Sequence, residues 1–224
     1  MSSVEAPPAK AVGTSAGWQV RAVGREMIGL GVEDGEATWQ GDFTFVVAAD
    51  TQFGFLDDRD WGGTGTGDWE EERMAADALV AYANSLSPVP RMLVVCGDLV
   101  HNMPQGTDTK YTNPKWAKAQ RDDFTAVFSQ LKPEIAMVVL PGNHDVGNAP
   151  TAASIAGYCS KFGDDYFAWW VGGVRCIALN TQLFSDSSLH PSAQAKQEAW
   201  LTRILAELAK SPTPKVCLYG CTIM

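Results

Sequence analysis

Short apolar runs alternate with longer amphipathic segments along most of the chain. Three of these runs, rich in β-branched and aromatic residues, cover residues 43–49, 92–96 and 135–140. Runs of this length and composition are typical of buried strands. Because parallel strands need crossover connections, strands that alternate with helices predict a mainly parallel sheet with helices on both faces.

The segments between the runs carry the start and stop signals of helices. Asp68 and Glu71 form a capping-box pattern, and Asn113 with Pro114 begins a second amphipathic segment. Apolar residues at helical spacing then continue until a proline or a glycine ends each segment. The predicted helices cover residues 68–86, 113–131, 151–162 and 192–210.

A hairpin and a last strand follow in the second half of the chain. Gly172 and Gly173 separate two apolar runs at 166–171 and 174–179, and a Gly-Gly pair is a strong signal for a two-residue β-turn. The run at 216–219 predicts one more strand. These elements add strands to the α/β pattern of the first half.

Composition predicts one domain without a membrane or nucleic-acid partner. The chain has 224 residues, of which 46% are apolar, enough for a single core. Residues 1–17 are rich in Ala, Pro, Ser and Gly and predict a disordered tail, so we expect the domain to cover residues 18–224. The net charge of -9 with scattered basic residues disfavours nucleic acid, and no apolar run is long enough to span a bilayer. We expect a cytoplasmic protein.

The five cysteines do not suggest a disulfide framework. Their number is odd, and three lie in or beside apolar strand-like runs, where a cysteine usually packs as a small buried residue. Cys217 and Cys221 have a Cys-x3-Cys spacing, but neither a second pair nor a nearby histidine accompanies them. A redox or zinc-binding protein built on these two thiols is one alternative, and alkylation of the thiols would then abolish function.

Polar residues follow the carboxyl ends of all three predicted parallel strands. Taken one at a time, they have ordinary structural explanations, such as a helix cap or a turn. Parallel strands, however, bring their carboxyl ends to one edge, and close carboxylates repel each other unless cations or protons neutralise them. We therefore expect bound divalent metal, with Asp98 bridging two ions between Asp50 and Asn143. The polar residues are Asp50, Gln52, Asp98, His101, Asn143, His144 and Asp145.

Three short motifs contain these polar residues. The motifs are Asp50-Thr51-Gln52-Phe53-Gly54, Gly97-Asp98-Leu99-Val100-His101 and Gly142-Asn143-His144-Asp145. In this order they resemble the calcineurin-like metallophosphoesterases, and the sequence is most similar to the CPPED-type serine/threonine phosphatases of that family from about residue 43 to about residue 208. The resemblance implies an α/β fold with a metallophosphoesterase-like β-sandwich core flanked by helices.

The same resemblance assigns roles to the polar residues. The residues that would hold two divalent ions (manganese, iron, magnesium or zinc) are Asp50, Gln52, Asp98 and Asn143. His144 would stand beside the leaving-group oxygen, with Asp145 orienting its imidazole. Gln52 is a neutral donor where most of the wider family has an imidazole, so we expect the first ion to be held less firmly.

The implied reaction is hydrolysis of phosphomonoesters by a hydroxide that bridges the two ions, with phosphoserine or phosphothreonine proteins as substrates. A phosphodiesterase or a nucleotidase has the same metal core and is an alternative, since substrate choice lies in the loops. The acidic loop at 53–67 either borders the site or is a solvated loop. His101 either supports Asp98 or has a structural role.

The sequence departs from the family pattern at its end. That pattern leads us to expect a histidine after the last strand and a Gly-His-x-His motif further on, whereas the histidines of the chain are His101, His144 and His190. We therefore expect the C-terminal part of the second half of the sandwich to be missing, and the isolated chain to be unstable and weakly active. The alternative is a catalytically impaired form that binds a partner or has no function.

Overall fold

The structure is a computed structural model, and it describes residues 22–107, 112–210 and 215–221. The tail predicted at 1–17 lies outside the described residues. In chain order the strands are β1 (Ala22–Val23), β2 (Glu26–Met27), β3 (Val46–Ala48), β4 (Met92–Cys96), β5 (Ala136–Leu140), β6 (Phe167–Val171), β7 (Val174–Ala178) and β8 (Val216–Tyr219). The α-helices are α1 (Glu70–Ser85), α2 (Pro114–Phe128), α3 (Asn143–Val146), α4 (Ala152–Phe162), α5 (Gln182–Ser185) and α6 (Pro191–Leu208).

Strands β3, β4 and β5 form a parallel three-stranded sheet in that order. These strands read as continuous apolar runs because both faces of the sheet are covered. On one face, Leu93 and Val95 of β4 pack with α1, α2 and α4. On the other face, Met92 and Val94 pack against a second sheet. Successive side chains of β4 point to opposite faces of the sheet, so they contribute alternately to two separate hydrophobic cores.

The second sheet has five strands in the order β1-β2-β6-β7-β8. Strands β6 and β7 are antiparallel, whereas β8 runs parallel to β7 and β2 runs parallel to β6. Trp169 and Cys176 pack into the core between the sheets, and Ala168 and Ile177 pack against Trp200 of α6. The layers are helix, sheet, sheet and helix, which confirms the predicted sandwich flanked by helices.

Helices do not cover both faces of the parallel sheet, so the prediction made from strand and helix alternation is wrong on this point. Val94 and Val138 of the parallel sheet pack in one core with Trp169 of β6 instead. The hairpin strands have apolar side chains on both faces, so one face still has to be buried after α6 covers the other. The sequence also missed β1 and β2, because strands of two residues show no periodicity.

The observed start of α2 agrees with the start predicted from the sequence, whereas that of α1 differs from its prediction. Asn113 caps α2, where its side chain accepts hydrogen bonds from two backbone N–H groups of the first turn. The capping box predicted from Asp68 and Glu71 is wrong, because the Asp68 carboxylate accepts a hydrogen bond from the Glu70 N–H. Glu72 reaches out of the helix and accepts hydrogen bonds from two backbone N–H groups of the loop after β3.

The hairpin between β6 and β7 is confirmed, with its turn at the predicted glycines. Gly172 and Gly173 have φ angles of 52° and 81°, both in the left-handed region that a type I′ turn requires. A Cβ atom on Gly173 would lie 2.5 Å from the backbone nitrogen of Trp39. The turn therefore needs glycine for its conformation and for close packing.

Two further features of the described residues concern membrane spans and the edge of the second sheet. None of the helices they form is both long and apolar enough to cross a membrane. Among the same residues, β8 is the edge of the second sheet, and Leu218 on this strand exposes 60% of its surface. An apolar edge of this kind is one that proteins usually cover.

Candidate metal centre

The carboxyl ends of β3 and β4 lie side by side, and their hydrogen bonding continues beyond the strands. The Asp50 N–H donates to the Gly97 carbonyl at 3.1 Å, and the Gln52 N–H donates to the Asp98 carbonyl at 2.9 Å. Asp50, Gln52 and Asp98 have φ angles of 53°, 35° and 49°. Non-glycine residues rarely adopt this left-handed region, and such strained positions cluster at functional sites.

The end of β5 meets the end of β4 through Gly142. The His144 N–H donates to Oδ1 of Asp98 at 2.9 Å, which brings the first turn of α3, and Asn143 with it, to the same edge. A Cβ atom on Gly142 would lie 2.2 Å from Oδ1 of Asp98. A Cβ atom on Gly97 would lie 2.8 Å from the Cα of Gly142. Only glycine lets the two turns approach this closely.

Two carboxylates and a thiol form the centre of this edge. A carboxylate oxygen of Asp50, one of Asp98 and the Sγ of Cys221 all lie within 4.8 Å of one another. Asp98 and Cys221 are 7% and 5% exposed, whereas Asp50 is open to solvent. The sequence predicted that the carboxylates would meet and missed the thiol. The sequence did contain a signal for the thiol, because Cys221 follows β8 just as the predicted ligands follow their own strands.

The two carboxylates lie close together, and that of Asp98 is poorly solvated. Burial raises the pKa of Asp50, and the charge of Asp98 raises it further, while His144 opposes both effects. Burial is also the main cause that raises the pKa of Asp98, again opposed by His144. Crowded oxygen and sulfur donors of this kind suit a divalent cation. The residues therefore fit the predicted metal, with Gln52 and Asn143 at the same edge as neutral oxygen donors.

The structure contradicts the predicted pairing of His144 with Asp145. The Asp145 carboxylate accepts hydrogen bonds from the N–H groups of Gly142 at 2.9 Å and of Leu99 at 3.2 Å. The Nδ1 of His144 is hydrogen-bonded to the His101 carbonyl instead, and because a carbonyl only accepts, this nitrogen carries the hydrogen. Asp145 therefore holds two turns together, and the His101 carbonyl orients the imidazole.

His101 connects the site to the acidic loop. Its Nδ1 lies 3.4 Å from Nε2 of Gln52, and its Nε2 lies 2.8 Å from a carboxylate oxygen of Asp58. The amide nitrogen can only donate, so Nδ1 accepts and Nε2 donates to Asp58. Burial lowers the pKa of His101 despite the opposing effect of Asp58, in agreement with a neutral ring. His101 thus has a supporting role, since it contacts the side chain of Gln52 and its carbonyl holds the imidazole of His144.

The acidic loop after β3 borders the site, which was one of the two hypotheses for this loop. Asp58 contacts His101, and the buried Asp57 organises the loop itself. The Asp57 carboxylate accepts hydrogen bonds from the Thr64 hydroxyl and from the Gly67 N–H, both at 2.6 Å. Burial would raise the pKa of Asp57, but these hydrogen bonds hold the pKa well below its usual range.

Replacing Asp57 by Asn should reduce the free energy of unfolding by about 1.5–3 kcal/mol at pH 7, because hydrogen bonds to a charged group are lost. The pKa of Asp57 is depressed in the folded state. Its carboxylate therefore contributes fully to the free energy of unfolding above the unfolded-state pKa of about 4, and this contribution is lost as the pH falls from there towards the folded-state pKa. Urea denaturation at pH 7 and pH 3 measures this change, which should shrink at pH 3. The exposed carboxylate of Asp42 provides the control; equal losses in Asp57→Asn and Asp42→Asn would contradict the argument.

The sequence of this chain is similar to those of known proteins. Residues 43–218 match the family model for calcineurin-like phosphoesterases. The chain is 38% identical over 205 residues to the serine/threonine-protein phosphatase CPPED1 of Danio rerio, a match that covers 89% of this chain and 62% of that protein. It is 37% identical over 188 residues to the protein of the same name from Homo sapiens, covering 83% of this chain and 57% of that protein.

The matches cover only part of the length of the two relatives but most of this chain. The chain spans about three fifths of the length of these two relatives, between 57% and 62%. The family model, by contrast, matches most of this chain and includes all three strand-end motifs. The chain belongs to the calcineurin-like phosphoesterase family.

Proposed function

We propose that this chain forms the metal-binding part of a phosphoesterase, a hydrolase that cleaves phosphomonoesters with the help of divalent metal ions. The observation that carries the proposal is the meeting of Asp50, Asp98 and His144 at one edge of the parallel sheet. Phosphoserine and phosphothreonine proteins are the proposed substrates, because the relatives are named serine/threonine-protein phosphatases.

Two divalent ions are the proposed cofactors at this edge. We assign Asp50 and Gln52 to the first ion, Asp98 to both and Asn143 to the second. When bound, such ions offset the charge of carboxylates and phosphate and lower the pKa of a bound water. Gln52 reaches this position with its amide held by His101, so its orientation is set before any ion binds.

His144 is the proposed proton donor to the leaving-group oxygen. Its Nδ1–H is committed to the His101 carbonyl, so Nε2 is the nitrogen that passes a proton to that oxygen. The ring stacks on that of His101 at a centroid distance of 4.8 Å, which restricts the plane of the imidazole. The hydrogen bond from its backbone N–H to Asp98 keeps His144 beside the ligands. Asp145 acts as a positioning residue for the turns.

A His144→Gln variant should lose about 100-fold or more in kcat toward p-nitrophenyl phosphate and should keep its metal affinity, because glutamine is polar but cannot be protonated. The matched control is His190→Gln, since His190 precedes α6 with its Nδ1 near the Ser192 hydroxyl. Steady-state kinetics with Mn²⁺ and calorimetric titration measure the two properties separately. Equal kcat values for the two variants would show that His144 takes no part in the reaction.

The substrate class is tested by comparing three phosphoesters. We expect the highest kcat/KM for a phosphoserine or phosphothreonine peptide. A preference for a diester or for a nucleoside monophosphate would establish the phosphodiesterase or nucleotidase alternative. If the metal-loaded chain cleaves none of them, the alternative of a non-catalytic binding protein is favoured.

A further inference from the structure

We infer that Cys221 is a ligand of the metal centre, which makes this a mixed thiolate and carboxylate site suited to a thiophilic ion such as Zn²⁺. The inference rests on the metal centre proposed above and adds a donor that none of the three motifs contains. It also differs from the alternative considered from the sequence, in which Cys217 and Cys221 act as a pair.

The geometry places three donors around one small volume. The Sγ of Cys221 and one carboxylate oxygen each of Asp50 and Asp98 lie within 4.8 Å of one another. A tetrahedral ion with metal–oxygen and metal–sulfur bonds of about 2.0–2.3 Å separates its ligand atoms by roughly 3.5 Å. Since 4.8 Å exceeds this separation by little more than 1 Å, small side-chain movements would bring the three donors onto a single ion.

The position of Cys221 is fixed by contacts on both sides. The Thr181 hydroxyl donates a hydrogen bond to the Cys221 carbonyl. A Cβ atom on Gly220 would lie 2.7 Å from Cγ2 of Thr181, so this turn packs tightly. On the other side, a Cβ atom on Gly97 would lie 2.6 Å from the Sγ of Cys221. Glycine at position 97 thus leaves the space that the thiol occupies beside Asp98.

The thiol of Cys221 is buried beside two carboxylates. Cys221 is 5% exposed and forms no disulfide. Within residues 22–107, 112–210 and 215–221, no group makes a hydrogen bond to its sulfur, and carboxylate oxygens of Asp98 and Asp50 lie within 4.8 Å of it. Among the residues that the structure describes, this buried thiol beside two carboxylates therefore has no hydrogen-bond partner for its sulfur. One divalent ion would supply a bond to each of the three groups.

Cys217 does not share this environment. It lies within β8, where it pairs in register with Cys176 of β7 and packs against the core between the two sheets. Its side chain is therefore part of the sandwich interior, whereas Cys221 follows the strand and reaches the sheet edge. The structure separates the two cysteines of the Cys-x3-Cys spacing and makes Cys217 a suitable control.

Coordination by Cys221 has a defined chemical balance. The S–H bond breaks, a metal–sulfur bond forms, and the proton passes to solvent, with no change in the oxidation state of either partner. Thiolate donors favour Zn²⁺, whereas Mg²⁺ and Mn²⁺ prefer oxygen donors. Cys221 should therefore raise the affinity for Zn²⁺ and leave the affinity for Mg²⁺ nearly unchanged.

The test uses metal-binding spectra rather than activity. Titration of the full chain with Co²⁺ should produce an ultraviolet sulfur-to-cobalt charge-transfer band, and X-ray absorption of the Zn²⁺-loaded chain should show one sulfur neighbour at about 2.3 Å. The Cys221→Ser variant should lose the band and at least about 10-fold in Zn²⁺ affinity. The Cys217→Ser variant should retain both.

Each other outcome overturns the inference. If Co²⁺ binds without the band and the zinc has only oxygen neighbours, Cys221 is not a ligand. In that case the proposed metal centre still stands if the Asp98→Asn variant binds metal more weakly than the wild type. A band that survives in Cys221→Ser and disappears in Cys217→Ser assigns the ligand to Cys217. If the wild-type chain binds none of these ions, both the inference and the proposed function fail. The X-ray absorption measurement needs no variant, so it decides the question even if Cys221→Ser does not fold.

Discussion

An Asp98→Asn variant should bind Mn²⁺ at least about 100-fold more weakly than the wild-type chain and should lose measurable phosphomonoester hydrolysis. The loss of a supporting contact alone costs about 10–100-fold in metal affinity, so the loss of a ligand charge should cost at least the upper value. Asp98 has one carboxylate oxygen hydrogen-bonded to the His144 N–H and lies among the donors of Asp50 and Cys221. The amide preserves the shape of the side chain and removes the charge proposed to be shared by the two ions.

Calorimetric titration with Mn²⁺ and hydrolysis of p-nitrophenyl phosphate measure these losses. Asp42→Asn is the matched control, because Asp42 is exposed and undergoes the same change in charge. Since burial raises the pKa of Asp98, the neutral amide should leave the metal-free chain no less stable in urea than the wild type. Activity that depends on Asp98 would mean that the donors in this chain suffice for catalysis. Equal Mn²⁺ affinities for the two variants would exclude Asp98 as a ligand.

A Gly142→Ala variant should lower the Mn²⁺ affinity by about 10–100-fold, although it changes no donor atom. The added Cβ atom would lie 2.2 Å from Oδ1 and 2.4 Å from the backbone nitrogen of Asp98, so Asp98 has to move. Its movement would also disturb the hydrogen bond that Oδ1 accepts from the His144 N–H. Overpacking of this kind costs about 1–3 kcal/mol in the free energy of unfolding. Metal titration and urea denaturation of the same protein measure both effects.

Gly157→Ala is the matched control for this substitution. Gly157 lies within α4, and nothing lies within 4 Å of a Cβ atom added there. Alanine is favoured over glycine in a helix interior by about 0.5–1 kcal/mol, so this variant should be slightly more stable and should bind metal like the wild type. Wild-type affinity in Gly142→Ala would show that the close approach of the two turns does not position Asp98.

Much of the architecture follows from local sequence patterns. The run at 92–96 predicted β4 with its observed bounds, and the pair Gly172-Gly173 predicted the hairpin turn. These signals are local because a strand records its burial in its own residues, and a type I′ turn requires positive φ at two adjacent positions. The meeting of Asp50 and Asp98 was also predictable, since parallel neighbouring strands must end at the same edge.

The partners of the polar side chains were decided only by the tertiary structure. Asp145 binds the N–H of Leu99, 46 positions away, and not the neighbouring imidazole of His144. Cys221 reaches Asp98 from a strand of the other sheet, and the packing of one sheet on the other also decided which faces the helices cover. Sequence patterns determine which residues are buried and where strands end. Hydrogen-bond partners and shared ligands depend on how distant segments are packed, and local periodicity carries no record of that packing.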